Sequence, residues 1–187
     1  MRYAAATAIV FAALMAVQSN AQTTPEPAPL LTVEKVDLTR YAGKWYEIAL
    51  LPNRFQAQCI SDTNATYVQL ADGTIEVTNR CRLQDGTTES IVGAARSAKG
   101  DVTGAKLQVR FAPWYLSFLP MVWGNYWVTE LDADYKYAVV SEPSKKFLWV
   151  LSRTPKLDEA TYEGILKRLS AKGFDVSKIA KTPQTAS

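Results

Sequence analysis

Residues 106–112 read Lys-Leu-Gln-Val-Arg-Phe-Ala, and their alternation decides the fold class. Leu107, Val109 and Phe111 fall on one face, and Gln108 and Arg110 on the other. A period of two argues for a half-buried antiparallel strand, because successive side chains point to opposite faces of a sheet.

Working outward, β-type runs continue in both directions. Thr87–Ser97, Thr74–Leu83, Cys59–Leu70 and Lys44–Leu51 precede the central run, the last of them stopped by Pro52. Gly124–Leu131, Tyr135–Ser141 and Phe147–Ser152 follow it. Asp72-Gly73 lies between two such runs, a hairpin signal. Asp85-Gly86, Gly100-Asp101, Asp132-Ala133-Asp134 and the segment 142–146 supply other turns. Eight runs at this spacing point to an all-β sandwich or barrel. The chain changes character after Pro155. Leu157, Tyr162, Ile165, Leu166 and Leu169 recur at helical spacing, with Gly173 as a stop. One amphipathic helix is therefore expected, its apolar face packed on the outside of the sheet.

Upstream, Arg2, an apolar run from Tyr3 to Val17 and Ser19-Asn20-Ala21 form the pattern of a secretory signal peptide over residues 1–21. The run is shorter than the roughly 20 apolar residues of a membrane span. Residues 22–33 read as a flexible linker, 34–181 as one folded domain and 182–187 as a disordered tail. No cysteine precedes Cys59, so a lipoprotein anchor by that route is not expected, and the destination is the periplasm or the exterior. In such a compartment Cys59 and Cys81 are expected to bond.

Composition narrows the function. The net charge is +3 without a basic block, which leaves nucleic acid no electrostatic footprint. The chain has no histidine, so it lacks the commonest general base and metal ligand. No metal site, cofactor or catalytic residue is proposed from the sequence. An isomerase or esterase remains the rival reading, with Glu47 as its lone inward carboxylate.

Three short motifs then fall in order. Gly43-Lys44-Trp45 heads the first strand, Asp132-Ala133-Asp134-Tyr135 joins the sixth and seventh, and Arg153 follows the eighth. Their order and spacing resemble the lipocalin family. The runs GKWYEIALLPNRFQ (43–56), LDADYKYAVVSEPSKKFLWVLSRTP (131–155) and GFDVSKI (173–179) are very similar to its bacterial members, the relatives of apolipoprotein D. The resemblance implies an eight-stranded antiparallel up-and-down barrel with one C-terminal α-helix outside. It also implies a non-enzymatic carrier of a fatty acid, a lysophospholipid or a similar hydrophobic ligand. Many of those relatives are outer-membrane lipoproteins, and the missing cysteine sets this chain apart.

Strand parity proposes the lining of the cavity. In the resembling proteins the aromatics matching Trp123 and Trp149 point inward. Parity adds Asn125 and Trp127 to the first, and Phe147 to the second. Leu107, Val109 and Phe111 come next, then Ile75, Val77 and Tyr67. The interior of such a barrel is either hollow or filled by these side chains. Trp45 and Arg153 read as structural, an indole plugging the floor under a stacked guanidinium at about 0.5–2 kcal/mol. Asn125 and Glu47 are the candidate polar contacts for a head group, and Glu47 is equally readable as a structural partner. The loop 112–123 carries no charge and presents Trp114, Tyr115, Leu116, Phe118 and Leu119. Three uses compete for it: covering the pocket mouth, transient contact with a membrane surface, or a weak homodimer.

Overall fold

A computed structural model describes residues 29–185, and the signal-peptide reading and residues 186–187 lie outside them. Nine strands form one antiparallel sheet: β1 (Gly43–Leu50), β2 (Ser61–Gln69), β3 (Ile75–Arg82), β4 (Thr88–Ser97), β5 (Lys106–Arg110), β6 (Gly124–Leu131), β7 (Tyr137–Ser141), β8 (Leu148–Ser152) and the two-residue β9 (Ala180–Lys181). Neighbours pair in chain order from β2 to β8, β8 pairs with β1, and β1 returns to β2. The sheet thus closes into an up-and-down barrel, which leaves few strand edges to pair with other chains.

Two apolar clusters divide at the barrel wall. The inner one gathers Trp45, Tyr67, Ile75, Val77, Leu107, Tyr126, Val128, Val140 and Leu151. The outer one gathers Ile48, Val139, Leu148 and Val150 against Tyr162, Ile165 and Leu169 of helix α2 (Glu159–Ala171). α2 begins at Asp158, whose carboxylate accepts from Thr161 N, an N-cap of the usual kind. Beyond the hydrocarbon, Glu130 accepts from Arg168 at 2.9 Å and Lys172 at 2.8 Å. An irregularity between Val128 and Glu130 breaks the β6–β7 register just before that glutamate.

Both ends of the fold run further than composition suggests. Leu30 is buried in the outer cluster, and Val33 N donates to Val128 O at 2.9 Å. Residues 30–33 are therefore docked, not linker. Residues 182–185 correct the expected disordered tail in the same way. Thr182 N donates to Ile48 O at 2.9 Å, and Asp62 N donates to Pro183 O at 2.8 Å. Gln184 Nε2 bridges Glu47 O and Thr63 O at 2.8 and 2.9 Å. This segment fills the seam where β1 and β2 part beyond Tyr46 and Asn64. The signal was weak, because Thr-Pro-Gln-Thr bonds through backbone and short polar groups and buries little hydrocarbon.

The base of the barrel is closed by α1 (Leu38–Tyr41) and by Trp45, which has no accessible surface. Arg153 lies 3.9 Å over the Trp45 ring and donates to Lys44 O at 3.0 Å and to Arg40 O. Trp45 Nε1 donates to Tyr41 O at 2.7 Å. Gly43 has φ +91°, a left-handed backbone that favours glycine, and a Cβ there would sit 3.4 Å from Arg153 Nη1. From the same motif region, Tyr135 accepts at its hydroxyl from Asp37 N at 2.8 Å and lies under Arg40 at 4.0 Å. Asp132 Oδ1 accepts from Asp134 N and Lys136 N, fixing the β6–β7 turn.

Candidate functional site

The end opposite α1 carries the loops 51–60, 83–87, 111–123 and 142–147. Accessibility inside the barrel changes along its length. Trp45 and Ala138 at the base have none, and neither do Val128 and Val140, the latter paired with Trp149, so the packed zone reaches well up the barrel. Interior side chains regain solvent contact at Val109, Phe111 and Trp149, all near the loop end. The interior is therefore not the open hollow cylinder expected: its inner face is packed toward the base and half-buried at Val109, Phe111 and Trp149 toward the loop end, a stretch we call the cup. Two surface clefts of about 390 and 280 Å³ lie outside the lumen, one beside Val36 and Gly104 at the base and one between Ile48 and Tyr162 outside the wall.

The structure places the expected lining residues as follows. Leu107, Val109 and Phe111 face inward, and so do Ile75, Val77 and Tyr67, the latter three deep in the packed part. Phe111 owes its place to Gly93, since a Cβ at residue 93 would lie 2.6 Å from the Phe111 ring. Trp149 faces inward on β8, with Phe147 stacked on it at 6.1 Å and 10°. Phe55 of the 51–60 loop meets Phe147 at 5.5 Å.

On β6 the expectation fails, and the face is inverted. Paired residues on neighbouring antiparallel strands share a face. The register sets Leu107 opposite Tyr126 and Gln108 opposite Asn125, so Tyr126 goes inward and Asn125 outward. Trp127 packs with the outer cluster and lies 4.7 Å beneath Lys106 Nζ. Trp123 is also outside, stacked 3.8 Å from Arg96 and 5.3 Å from Arg110, its indole N–H donating to Ser117 O at 2.8 Å. The face of β6 richer in aromatic residues is therefore the outer one. Indoles cover cationic and helix-packed walls equally well.

A polar chain crosses the mouth. Trp149 Nε1 donates to Gln56 Oε1 at 2.7 Å, and Gln56 Nε2 donates to Glu47 Oε2 at 2.6 Å. Thr182 donates to the other Glu47 oxygen at 2.6 Å. Burial pushes the Glu47 carboxyl above its usual 4.5, with Gln56 and Thr182 pulling the other way. Glu47 is thus a structural partner with both oxygens occupied. Gln56 was not anticipated, because a glutamine in a loop gives no periodic signal. A disulfide of Cys59 with Cys81 ties the same loop to β3.

The 112–123 loop folds as two 3₁₀ turns, Trp114–Leu116 and Pro120–Val122. Trp114, Phe118 and Met121 are 77%, 76% and 85% exposed, and Tyr115 is also exposed. Leu116 and Leu119 are half-buried.

This closed barrel, with a stacked tryptophan and arginine at its base, matches a family model described as a lipocalin-like domain over residues 36–184. The chain is a lipocalin. It is 41% identical to temperature-induced lipocalin-1 of Arabidopsis thaliana, with 86% of each chain covered. It is 34% identical to the outer membrane lipoprotein Blc of Escherichia coli K12 along the full length of both. Among solved structures, insecticyanin from the tobacco hornworm Manduca sexta superposes with a TM-score of 0.64 at 26% identity, covering 83% of this lipocalin and 84% of that chain. Small hydrophobic molecules are what lipocalins bind, and this one presents its inward apolar surface at the loop end.

Proposed function

We propose that this lipocalin is an extracytoplasmic lipid carrier that holds a fatty acid or lysophospholipid in the cup and performs no chemistry on it. The observation that carries the reading is the half-buried inner face of Val109, Phe111 and Trp149 at the loop end, with Phe147 stacked on Trp149, above a packed base. Each buried methylene of an acyl chain contributes about 0.8 kcal/mol, so about ten contribute roughly 8 kcal/mol before ordering costs. Micromolar binding follows without any catalytic group. Glu47, the carboxylate a rival enzyme reading needs, is already engaged on both oxygens. The outer-membrane lipoprotein among the relatives supports a cell-envelope location, reached here by the signal-peptide reading of residues 1–21.

The exposed Trp114, Tyr115, Phe118 and Met121 beside the mouth suit transient contact with a lipid surface, where the ligand is collected or delivered. Native mass spectrometry of the purified protein, followed by organic extraction, tests the carrier reading. A copurified, unmodified fatty acid or lysolipid is the expected result. Turnover of that lipid on prolonged incubation contradicts it.

A further inference from the structure

Three phenols meet where the cup ends and the packed base begins. Tyr41 comes from α1, Tyr67 from β2 and Tyr126 from β6. The Tyr126 hydroxyl oxygen lies 2.9 Å from that of Tyr41 and 2.8 Å from that of Tyr67. All three residues are buried, and their neighbours in the inner cluster are hydrocarbon or aromatic. Tyr126 stands opposite Leu107, which is 1% exposed, while the next inward residue toward the mouth on β5 is the accessible Val109.

A hydrogen count shows that the cluster is incomplete. Three hydroxyls own three hydrogens, and each oxygen–oxygen contact uses one. With two contacts, one hydrogen remains to be donated whichever way the network is oriented. Phenylalanine at all three places fills nearly the same volume without a buried donor, so packing alone does not call for these hydroxyls. Burial raises the pKa of all three, that of Tyr67 to about 12, so they stay neutral and able to donate.

We infer that the tyrosine layer is a ligand subsite, which takes the oxygen acceptor of an amphipathic lipid, a carboxylate or a carbonyl, that enters the cup acceptor-first. The inference rests on the carrier reading and adds the ligand's orientation and the chemistry of its deep end. A lipid anchored this way keeps its hydrocarbon against Val109, Phe111 and Trp149.

The test compares diphenylhexatriene, a hydrocarbon probe, with its propionic acid derivative. Both are titrated into the wild type, Tyr126→Phe and the triple variant Tyr41→Phe/Tyr67→Phe/Tyr126→Phe, with near-ultraviolet circular dichroism as the check on folding. The wild type is expected to prefer the acid. The triple variant is expected to lose about tenfold of that preference, one buried hydrogen bond's worth, with the hydrocarbon's affinity unchanged. Tyr126→Phe breaks both contacts and leaves the Tyr41 and Tyr67 hydrogens without their present partner, so it is expected to shift the preference further toward the acid, and it serves alone if the triple variant does not fold. An unchanged preference, or an equal loss for both probes, overturns the subsite while leaving the carrier reading intact. Failure of the wild type to bind either probe overturns the carrier reading itself.

Discussion

Trp149 and Gln56 are joined by a 2.7 Å hydrogen bond from the indole N–H to the amide oxygen, and this bond ties the 51–60 loop to the inner wall of the barrel. Gln56 continues to Glu47, and Glu47 to Thr182 in the C-terminal segment. The mouth loop, the wall and the chain terminus therefore share one small polar network.

Gln56→Ala cuts that network at its centre. It leaves the Trp149 N–H and one Glu47 oxygen without their present partners. The loop stays attached through the Cys59–Cys81 disulfide but loses its hold on the wall. Ligand release, followed by stopped-flow displacement, is expected to quicken by about tenfold, with the far-ultraviolet circular dichroism unchanged.

Arg153→Ala removes the guanidinium that covers Trp45 and satisfies the carbonyls of Lys44 and Arg40. Urea unfolding is expected to show a loss of about 1–3 kcal/mol. Arg153→Lys is expected to recover only part of it, because an ammonium lacks the planar fork that stacks and donates at once.

Two carboxyls at the β1–β2 seam oppose each other in their pH dependence. Asp62 is pushed up by desolvation, but Thr185, Arg82 and Ser61 more than offset this and hold it well below its usual 3.8. A depressed folded-state pKa gives stability that is present above the usual value and lost as pH falls below it. Glu47 is raised above its usual 4.5, so the folded state holds its proton more tightly than the unfolded chain. Its contribution is present below 4.5 and lost as pH rises through the raised value. Glu47→Gln is expected to flatten the decline on the neutral side of the stability–pH curve. Asp62→Asn is expected to flatten the decline on the acid side. Equal unfolding midpoints for Glu47→Gln and wild type at every pH contradict the assignment.

Gly93→Ala places a methyl 2.5 Å from Arg110 O and 2.6 Å from the Phe111 ring. One of them has to move. A destabilisation of about 1–3 kcal/mol by thermal unfolding is expected, with weaker ligand binding, since Phe111 belongs to the inner face.

Much of this architecture was legible in single residues. The alternation of Leu107, Val109 and Phe111 gave the inner face of β5, and the helical spacing of Tyr162, Ile165 and Leu169 gave the face of α2 that meets the barrel. Trp45 and Arg153 sit as their motifs imply. The inner face of β6 was not legible, because Trp123, Asn125 and Trp127 alternate as cleanly as Gly124, Tyr126 and Val128. Only the register with β5 decides between them. The mouth network and the tyrosine layer escaped for a related reason. Glu47, Trp149 and Tyr67 stand out in the sequence, but their partners Gln56, Tyr41 and Tyr126 do not, and the members lie far apart in the chain, 85 residues between Tyr41 and Tyr126 and 93 between Gln56 and Trp149.

The central claim is that ligand occupies the cup against Trp149 and does not lie on the outer wall. Titration with a brominated fatty acid, read by quenching of tryptophan fluorescence, tests it directly. Bromine quenches at short range, so the inner Trp149 should account for most of the loss. Trp149→Phe is predicted to abolish most of the quenching, and Trp127→Phe and Trp123→Phe to leave it nearly intact. Quenching that survives Trp149→Phe but disappears with Trp123→Phe or Trp127→Phe contradicts the account.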